Sequence, residues 1–336
     1  MKILVFGAGA IGSIIGGLLA EAGENVVLVG RRKHVEKINR DGLKIDGVPG
    51  KLNIKVAATT KLPVDFKPDL ILLTVKTQDL IEAAETIQHY KDVPVITIQN
   101  GIRADELAAE ILGRENIIGC AAYMSVEYLE PGMIRCVRKG NLVMGTAFGE
   151  NEKEVEKVAK TLNKAIPTRI TNNIYGARWT KLSLNLVLNG LSAISGLSLA
   201  QHADYPFLCR IAALLWKEGL GVIGAAKIQL EPIPPLPINV LGIIRRMPTP
   251  LLTKTLQQIF KKQNYLPSTL QSIIRGKKTE IDYLNGEIVK LGKVVNIPTP
   301  YNETVVNLTK EVEKEQRFYA ETELRVIFDK IENPDW

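Results

Sequence analysis

The amino-acid sequence predicts an α/β fold for the N-terminal half of the chain and an all-α fold for the C-terminal half. Up to about residue 170, short apolar runs typical of buried parallel strands alternate with segments of helical periodicity. After residue 172 no strand pattern is convincing, and helical segments follow one another. A length of 336 residues fits two domains. We place these domains at residues 1–170 and 171–336.

The first element is a strand over residues 2–6 that runs into a G-x-G-x-x-G motif and then into an apolar helical segment, Ile14–Ala22. The motif consists of Gly7, Ala8, Gly9, Ala10, Ile11 and Gly12. Its first glycine permits a tight turn, its second lets the backbone approach a pyrophosphate, and its third lets the helix pack on the strand. A turn without a ligand is the alternative. A second strand over Asn25–Val29 favours a Rossmann-type dinucleotide-binding domain, with the phosphates at the helix N-terminus.

The end of the second strand indicates which dinucleotide binds. An acidic residue here accepts hydrogen bonds from the ribose hydroxyls of NAD, but this chain has no carboxylate between Glu24 and Glu36. Arg31 stands there instead, and its planar guanidinium suits the 2′-phosphate of NADPH. Arg32 and Lys33, the next two residues, are equally compatible with a solvated helix start. We therefore predict NADPH as the cofactor, bound mainly through Arg31.

The strand–helix alternation continues to the predicted domain boundary. Further strands are expected at Leu70–Val75, Val95–Gln99, Asn116–Ala121 and Thr168–Thr171, and helices at Gln78–Tyr90, Asp105–Leu112 and Glu152–Ala165. Residues 122–148 favour antiparallel strands around Glu130-Pro131-Gly132. Lys76 and Asn100 follow two of the strands. Because ligands gather at the carboxyl ends of parallel strands, we predict that both residues line the cofactor site, although each alone is compatible with an ordinary surface lysine or turn residue.

The C-terminal half opens with a long predicted helix from Ile174 to about Ser195. Lys181, Asn185, Asn189 and Ser192 recur on one face of this otherwise apolar segment. A solvated outer face is one explanation. The alternative is a polar cleft for a small ligand, which we favour because such outer faces usually mix several charges.

Three later segments complete the helical half. Pro232–Pro250 predicts a connector with at most a short helix around Val240–Arg246. Glu280 is expected near the start of a helix with apolar positions Ile281, Leu284, Ile288 and Leu291, where an ordinary first-turn acid is the alternative interpretation. One last helix is expected after Ile297-Pro298-Thr299-Pro300.

Composition excludes several classes of function. The net charge is +7, but the basic residues are scattered and aromatic residues make up 6%, which does not suit a nucleic-acid surface. The three cysteines lack the short spacing of a metal site, so no metal is expected. Neither a signal core nor a membrane span is evident. We expect a cytoplasmic monomer or homodimer that binds a phosphate-rich cofactor and a carboxylate substrate.

Six pieces of the sequence, in this order, resemble ketopantoate reductases (2-dehydropantoate 2-reductases) over nearly the whole chain. They are Gly7–Gly12, Arg31, Thr74-Val75-Lys76, Gln99-Asn100-Gly101, the Lys181-Leu182-x-x-Asn185-x-x-x-Asn189 segment and Thr279–Gly286. The resemblance implies NADPH-dependent reduction of 2-dehydropantoate to (R)-pantoate, on the route to pantothenate and coenzyme A. It further implies Lys181 as the catalytic acid and Glu280 as its carboxylate partner. It also implies that Asn100, Asn185, Asn189 and Ser268 contact the substrate or the nicotinamide.

Two alternatives stay open at this point. Around Ser268 many members of the family have two serines followed by Met-x-Gln-Asp, whereas this chain has Pro267-Ser268-Thr269-Leu270-Gln271-Ser272. A sister reductase of another 2-oxo acid or ketone is therefore one alternative. The other is a non-catalytic NADPH-binding sensor, against which the presence of both Lys181 and Glu280 argues, because a sensor needs no proton donor.

Overall fold

A computed structural model describes residues 1–332 except for residues 49, 91, 150–151, 233–237 and 264. The chain forms two compact units, Met1–Arg178 and a second unit that begins at Trp179. The predicted boundary near residue 170 lies before this division, because the first turn of the helix that starts at Ile174 packs with the first unit: Ile174 and Ala177 share a cluster with Val143. Each unit has its own hydrophobic core.

The described residues contain twelve strands, all of them in the first unit. The strands are β1 (Lys2–Phe6), β2 (Asn25–Val29), β3 (Leu43–Gly47), β4 (Leu52–Ile54), β5 (Ala57–Thr59), β6 (Leu70–Leu73), β7 (Val95–Thr97), β8 (Ile117–Ala122), β9 (Ser125–Glu130), β10 (Met133–Arg138), β11 (Leu142–Thr146) and β12 (Thr168–Ile170). Each predicted strand is confirmed, two of them, β1 and β2, with identical bounds.

Fourteen α-helices occur in the same described residues. The helices are α1 (Ala10–Glu21), α2 (Arg32–Asp41), α3 (Leu80–Ile87), α4 (Ala104–Leu112), α5 (Glu152–Leu162), α6 (Ile174–Ser195), α7 (Leu199–His202), α8 (Pro206–Ala225), α9 (Ile238–Arg246), α10 (Thr249–Lys261), α11 (Ser268–Ile274), α12 (Asn285–Val294), α13 (Pro300–Glu315) and α14 (Glu321–Glu332). The bounds of α6 agree with the prediction from the sequence.

The large sheet has eight strands in the order β12-β11-β8-β7-β6-β1-β2-β5. Within it β1 pairs in parallel with β2 on one side and with β6 on the other. The chain builds outward from β1 to β5 and then returns to form β6 next to β1, so the strand order reverses there. A crevice outside the carboxyl ends of the strands at such a reversal is where open α/β sheets bind ligands.

A second sheet, in the order β4-β3-β10-β9, was not expected in full from the sequence. It covers the face of α1 that the large sheet does not cover. A side chain at Gly16 would meet Leu28 of the large sheet, whereas one at Gly17 would meet Leu43 and Ile45 of the small sheet. This double burial explains why the segment after the glycine motif is apolar around its whole circumference.

Three expectations for the helical unit need correction. The proline-rich segment is more helical than predicted, because α9 begins at Ile238 and α10 begins directly after Pro248, with Pro250 in its first turn, where a missing N–H costs nothing. Pro234, Pro235 and Pro237 lie outside the described residues. The helix expected at Glu280 begins only at Asn285. The single terminal helix is two helices, α13 and α14.

Candidate functional site

The glycine loop after β1 is folded tightly against the neighbouring strands. Gly7 has a φ of +113°, which favours glycine, and a Cβ there would lie 2.6 Å from the backbone nitrogen of Val75. The N–H groups of Gly7 and Ala8 both donate to the carbonyl of Val29, at 3.0 and 2.8 Å. A Cβ at Gly12 would overlap the carbonyl oxygen of Gly7 and approach Thr74. Two of the three predicted glycine roles, the tight turn and the close packing, therefore match the geometry.

The third role, close approach of a ligand, is tested at Gly9. A Cβ at this residue would meet no protein atom closer than the Gly7 oxygen, at 3.9 Å, so the space above the loop is open to a ligand. The helix α1 begins at Ala10 with no side-chain cap and no acidic residue in its first turn. The first N–H groups of a helix lack intrahelical partners and attract anions. The loop is therefore shaped and polarised to bind a phosphate group.

Arg31 lies next to this loop, at the end of β2. A Cβ at Gly30 would come within 2.8 Å of the Ala8 side chain, so the strand end and the glycine loop are in contact. Arg31 occupies the N-cap position of α2 and is exposed, and no described residue pairs with its guanidinium. Arg32, in contrast, forms a surface ion pair with Glu36 at 2.7 Å. Arg31 and Lys33 are thus the members of the basic run without an ion pair among the described residues, and Arg31 is the one that directly follows Gly30.

Lys76 and Asn100 follow β6 and β7, and their loops are hydrogen-bonded to each other. Thr77, directly after Lys76, donates through Oγ1 to the carbonyl of Asn100 at 3.1 Å. The side-chain amide of Gln99 donates to the carbonyls of Leu73 and Val75, at 2.7 and 3.2 Å. The structure therefore brings these two predicted site loops together at the carboxyl edge of the large sheet.

A buried ion pair that the sequence analysis missed supports the same loops. The side chain of Arg178 is 1% exposed and contacts both carboxylate oxygens of Asp105, through Nε at 2.8 Å and Nη2 at 2.6 Å. It also donates to the carbonyls of Thr97 and Gln99, at 3.0 and 3.1 Å. A signal was present in the sequence, since Arg178 is a charged residue between Ala177 and Trp179 in an apolar helix.

The polar face predicted for α6 is present, and its residues become more deeply buried toward the C-terminal end of the helix. Lys181 and Asn185 are half-buried, Asn189 is 5% exposed and Ser192 is fully buried. The solvated outer face considered for this stripe is therefore wrong for its C-terminal part. Polar side chains that are buried in this way are the kind that orient a small ligand.

Asn189 is held by the start of α11. Its Oδ1 accepts hydrogen bonds from Ser268 Oγ at 3.1 Å, from Thr269 Oγ1 at 3.2 Å and from the Thr269 backbone N–H at 3.4 Å. A backbone N–H can only donate, so the amide oxygen has to face α11. This orientation reserves the Asn189 amide hydrogens for another acceptor. Two predicted site residues, Asn189 and Ser268, are thus in direct contact.

Glu280 precedes a short 3-10 turn, Ile281–Tyr283, and is half-buried. Hydrogen bonds fix the backbone before and after Glu280. The N–H of Thr279 donates to Glu313 at 2.7 Å, and the carbonyl of Glu280 accepts from the N–H of Tyr283 at 2.9 Å. Glu280 is therefore part of a turn in front of α12 and not of the helix itself.

Asn285, in the same motif, belongs to a buried hydrogen-bond network with Asn302 and Glu218. Its amide nitrogen donates to Asn302 Oδ1 at 2.8 Å, and Asn302 in turn donates to Glu218 at 2.7 Å. Glu218 also accepts the N–H groups of Tyr301 and Asn302 at the start of α13. Burial nevertheless raises the pKa of the Glu218 carboxyl above its ordinary value. This network ties α8, α12 and α13 together.

The first unit also has an acidic cavity whose lining includes Asp69, Asp92, Glu115 and Glu154. Asp69 precedes β6 and Pro94 precedes β7, so the cavity lies at the amino ends of the strands. Its negative charge and its position both disfavour a dinucleotide, which binds at the opposite edge. The candidate site is therefore the crevice beside the glycine loop.

A glycine loop at a topological switch point, followed by a helix N-terminus open to phosphate, defines a Rossmann-type dinucleotide-binding protein. Within the described residues, no helix combines the length and apolar character needed to cross a membrane.

Comparison with known proteins identifies the family. The model for ketopantoate reductase PanE/ApbA matches residues 3–148, and the model for the C-terminal domain of the same family matches residues 173–313. The 2-dehydropantoate 2-reductase of Pyrococcus abyssi is 39% identical to this chain over 312 residues, which cover 92% of this chain and 97% of that protein. The chain belongs to the ketopantoate reductase family of oxidoreductases.

Two solved structures show the same fold. A PanE/ApbA family ketopantoate reductase from Ralstonia eutropha JMP134 superposes with a TM-score of 0.78 at 28% identity, covering 94% of this chain and 99% of that chain. A ternary structure of D-mandelate dehydrogenase with NADH and anilino(oxo)acetate gives a TM-score of 0.80 at 25% identity, with the same two coverages. The predicted Rossmann domain followed by a helical domain is thereby confirmed.

Proposed function

We propose that this protein reduces 2-dehydropantoate to (R)-pantoate with NADPH, and that it does so in the cytoplasm as a step toward pantothenate and coenzyme A. The observation that carries the proposal is the 39% identity, over 92% of the chain, to a protein named 2-dehydropantoate 2-reductase. The family and the fold define an oxidoreductase. The choice of cofactor and the roles of individual residues rest on the chain's own chemistry.

The residues of the first unit fit a nicotinamide dinucleotide. The open face of Gly9 and the uncapped start of α1 suit the pyrophosphate, and the unpaired guanidinium of Arg31 suits a 2′-phosphate. Lys76 and Asn100, at the ends of β6 and β7, would hold the nicotinamide half. When bound, NADPH supplies the reducing equivalent for the ketone carbon.

In the second unit, Lys181 would provide the proton. Reduction of a ketone leaves negative charge on its oxygen, and a lysine ammonium is charged at neutral pH and is able to protonate that oxygen. Burial in a closed site disfavours the ammonium form, and a nearby carboxylate such as Glu280 would favour it. Asn185 and Asn189 would donate hydrogen bonds to substrate oxygens without adding charge. Ser268 would assist, both through its own hydroxyl and by holding Asn189.

A second candidate is the reduction of another 2-oxo acid with the same residues. The TM-score of 0.80 to D-mandelate dehydrogenase favours it, because the ketone that corresponds to mandelate is an aromatic 2-oxo acid. The two candidates differ in the shape of the substrate pocket and not in the chemistry of the reduction.

The test is an assay of cofactor oxidation with 2-dehydropantoate and with phenylglyoxylate, each with NADPH and with NADH. We expect the highest kcat/KM for 2-dehydropantoate with NADPH. Higher kcat/KM for phenylglyoxylate would replace the proposed substrate by the second candidate. Equal kcat/KM with the two cofactors would contradict the role of Arg31. NADPH binding without turnover of either substrate would favour the sensor.

A further inference from the structure

The buried guanidinium of Arg178 has a hydrogen-bond partner at each of its three nitrogen atoms. Besides both oxygens of Asp105, it bonds the hydroxyl of Thr97 at 2.9 Å and the carbonyls of Thr97 and Gln99. The Thr97 hydroxyl in turn donates a hydrogen bond to Asp105. Such planar, bidentate geometry is specific to arginine, since a lysine ammonium is a point charge on a flexible stem.

The first unit makes room for this ion pair. Gly119 of β8 lies next to the ion pair. A Cβ at this position would come within 2.9 Å of the Asp105 carboxylate and 2.8 Å of Ile174. A glycine inside a buried strand weakens the strand, and it often marks a close approach of other groups. Glycine at this position therefore accommodates the carboxylate.

A buried ion pair of this kind is not expected to add much to the stability of the folded protein. Replacing a buried ion pair by apolar residues of similar volume is often neutral or stabilising, because desolvation offsets the attraction between the charges. What Arg178 adds beyond the pair is its contacts to two carbonyls, and these belong to the last residue of β7 and to Gln99, next to Asn100.

The same contacts extend to the loop of Lys76. The side chain of Gln99, whose carbonyl Arg178 holds, donates to the carbonyls of Leu73 and Val75 at the end of β6. The backbone before Asn100 and the backbone before Lys76 are therefore fixed by one continuous set of hydrogen bonds that starts at Arg178.

We propose that Arg178 is a positioning residue that, with Asp105, holds the Asn100 and Lys76 loops in the geometry that the nicotinamide half of the cofactor requires. This proposal rests on the proposed use of a nicotinamide dinucleotide by this site. Among the described residues, neither the Arg178 side chain nor the Gln99 side chain donates to the glycine loop or to Arg31, which would bind the adenosine half and its phosphates.

The test compares two ligands that differ in the nicotinamide. NADPH carries both halves, whereas 2′,5′-ADP carries only the adenosine with its 2′-phosphate and 5′-phosphate. In Arg178→Lys the charge next to Asp105 is kept, but the carbonyls of Thr97 and Gln99 lose their donor. We expect NADPH affinity to fall about tenfold, the equivalent of one lost charge-assisted hydrogen bond, and 2′,5′-ADP affinity to stay unchanged.

Further variants separate an effect on the position of the two loops from an effect on the stability of the fold. The double variant Arg178→Met with Asp105→Leu removes both charges at once, so that neither stays buried without a partner. We expect it to regain thermal stability relative to Arg178→Met but to keep the weakened NADPH binding. Arg135→Lys changes an arginine of the same unit that pairs with Asp46 at the surface, at 3.1 Å, and we expect both affinities to be unchanged.

A parallel loss of both affinities in Arg178→Lys, or unchanged NADPH affinity, would overturn the proposal. So would recovery of NADPH affinity together with stability in the double variant. The ratio of the two affinities does not require turnover, so a wild-type protein that fails to reduce 2-dehydropantoate would refute the proposed substrate without affecting this test. If the wild-type protein binds NADH and not NADPH, NADH and 5′-AMP serve as the matched ligand pair.

Discussion

The two units build their candidate sites from different parts of the chain. In the first unit the site consists largely of backbone. It includes glycines that permit a ligand to approach closely, N–H groups at the start of α1, and carbonyls at a strand end to which Arg178 donates hydrogen bonds. In the second unit it consists of side chains, among which Asn189 is oriented by the hydroxyls of Ser268 and Thr269. The sequence of the glycine loop is one short segment, whereas the orientation of Asn189 depends on residues 79 and 80 positions away.

The two buried histidines differ in how many partners hold them. His34 of the first unit lies between elements and has three partners: Ser13 at 3.0 Å, the Gly132 N–H at 2.8 Å and the Tyr128 hydroxyl at 3.1 Å. His202 of the second unit contacts Ser195 at 2.9 Å, and its Nδ1 has no partner among the described residues. Burial lowers the pKa of each to about 4.

The largest effect is expected from a change in the glycine loop. In Gly12→Ala the new methyl group would overlap the Gly7 carbonyl, so the loop has to move, and we expect a loss of about 3 kcal/mol of unfolding free energy. Gly9→Ala is the matched control, because its methyl group meets only open space. Gly9→Ala should keep wild-type stability in chemical denaturation but lose cofactor affinity. Equal stability of the two variants would contradict the packing role of Gly12.

Acid should destabilise both units through the two histidines. Each stays neutral in the folded chain down to about pH 4, whereas the unfolded chain takes up the proton near pH 6.5. The unfolded state therefore binds more protons between these values, and stability falls as the pH drops from 6.5 to 4, by at most about 3 kcal/mol for each histidine.

Variants at the two histidines would sharpen the contrast. His202→Leu should reduce this pH dependence at little cost at pH 8, because it removes a single hydrogen bond. His34→Leu should reduce the pH dependence too, but it should cost more at pH 8, because it leaves the Gly132 N–H without an acceptor. Urea denaturation at both pH values measures this. Equal losses at pH 8 would contradict the difference between the two environments.

A smaller effect is expected from Arg31. In Arg31→Ala we expect NADPH affinity to fall about tenfold, from the loss of a charge-assisted contact with the 2′-phosphate, while NADH affinity changes little. Arg32→Ala is the control, because Arg32 is already paired with Glu36 at the surface. A titration of cofactor fluorescence measures both affinities. A loss in Arg32→Ala as large as in Arg31→Ala would reassign the phosphate contact.

The smallest effect is expected at Thr269. The isosteric change Thr269→Val removes one of the three hydrogen bonds to Asn189 Oδ1 and leaves the Ser268 and backbone donors in place. We expect the KM for the 2-oxo acid to rise about threefold, in line with one neutral hydrogen bond, at unchanged cofactor affinity. A change in cofactor affinity instead of KM would remove Asn189 from the substrate site.

The difference between local patterns and long-range contacts, both of which occur in the first unit, also explains what the sequence could predict. The glycine loop, β1, β2 and α6 were predictable because each is a pattern within a short window. The contact between Arg178 and Asp105 spans 73 positions and that between Ser268 and Asn189 spans 79, and periodicity carries no information on such pairs. The small sheet was missed in part because β4 has only three residues, too few to show an alternation.

Our central proposal is that the first unit binds the cofactor and that Lys181 of the second unit supplies the proton. Its most direct test measures NADPH affinity and turnover of 2-dehydropantoate on the same preparation of Lys181→Ala. Lys310→Ala, a surface lysine paired with Asp282, is the control. We expect kcat to fall roughly 100-fold or more with NADPH affinity preserved, as for loss of a general acid. Wild-type kcat in Lys181→Ala, or a loss of NADPH affinity that accounts for the loss of turnover, would contradict the claim.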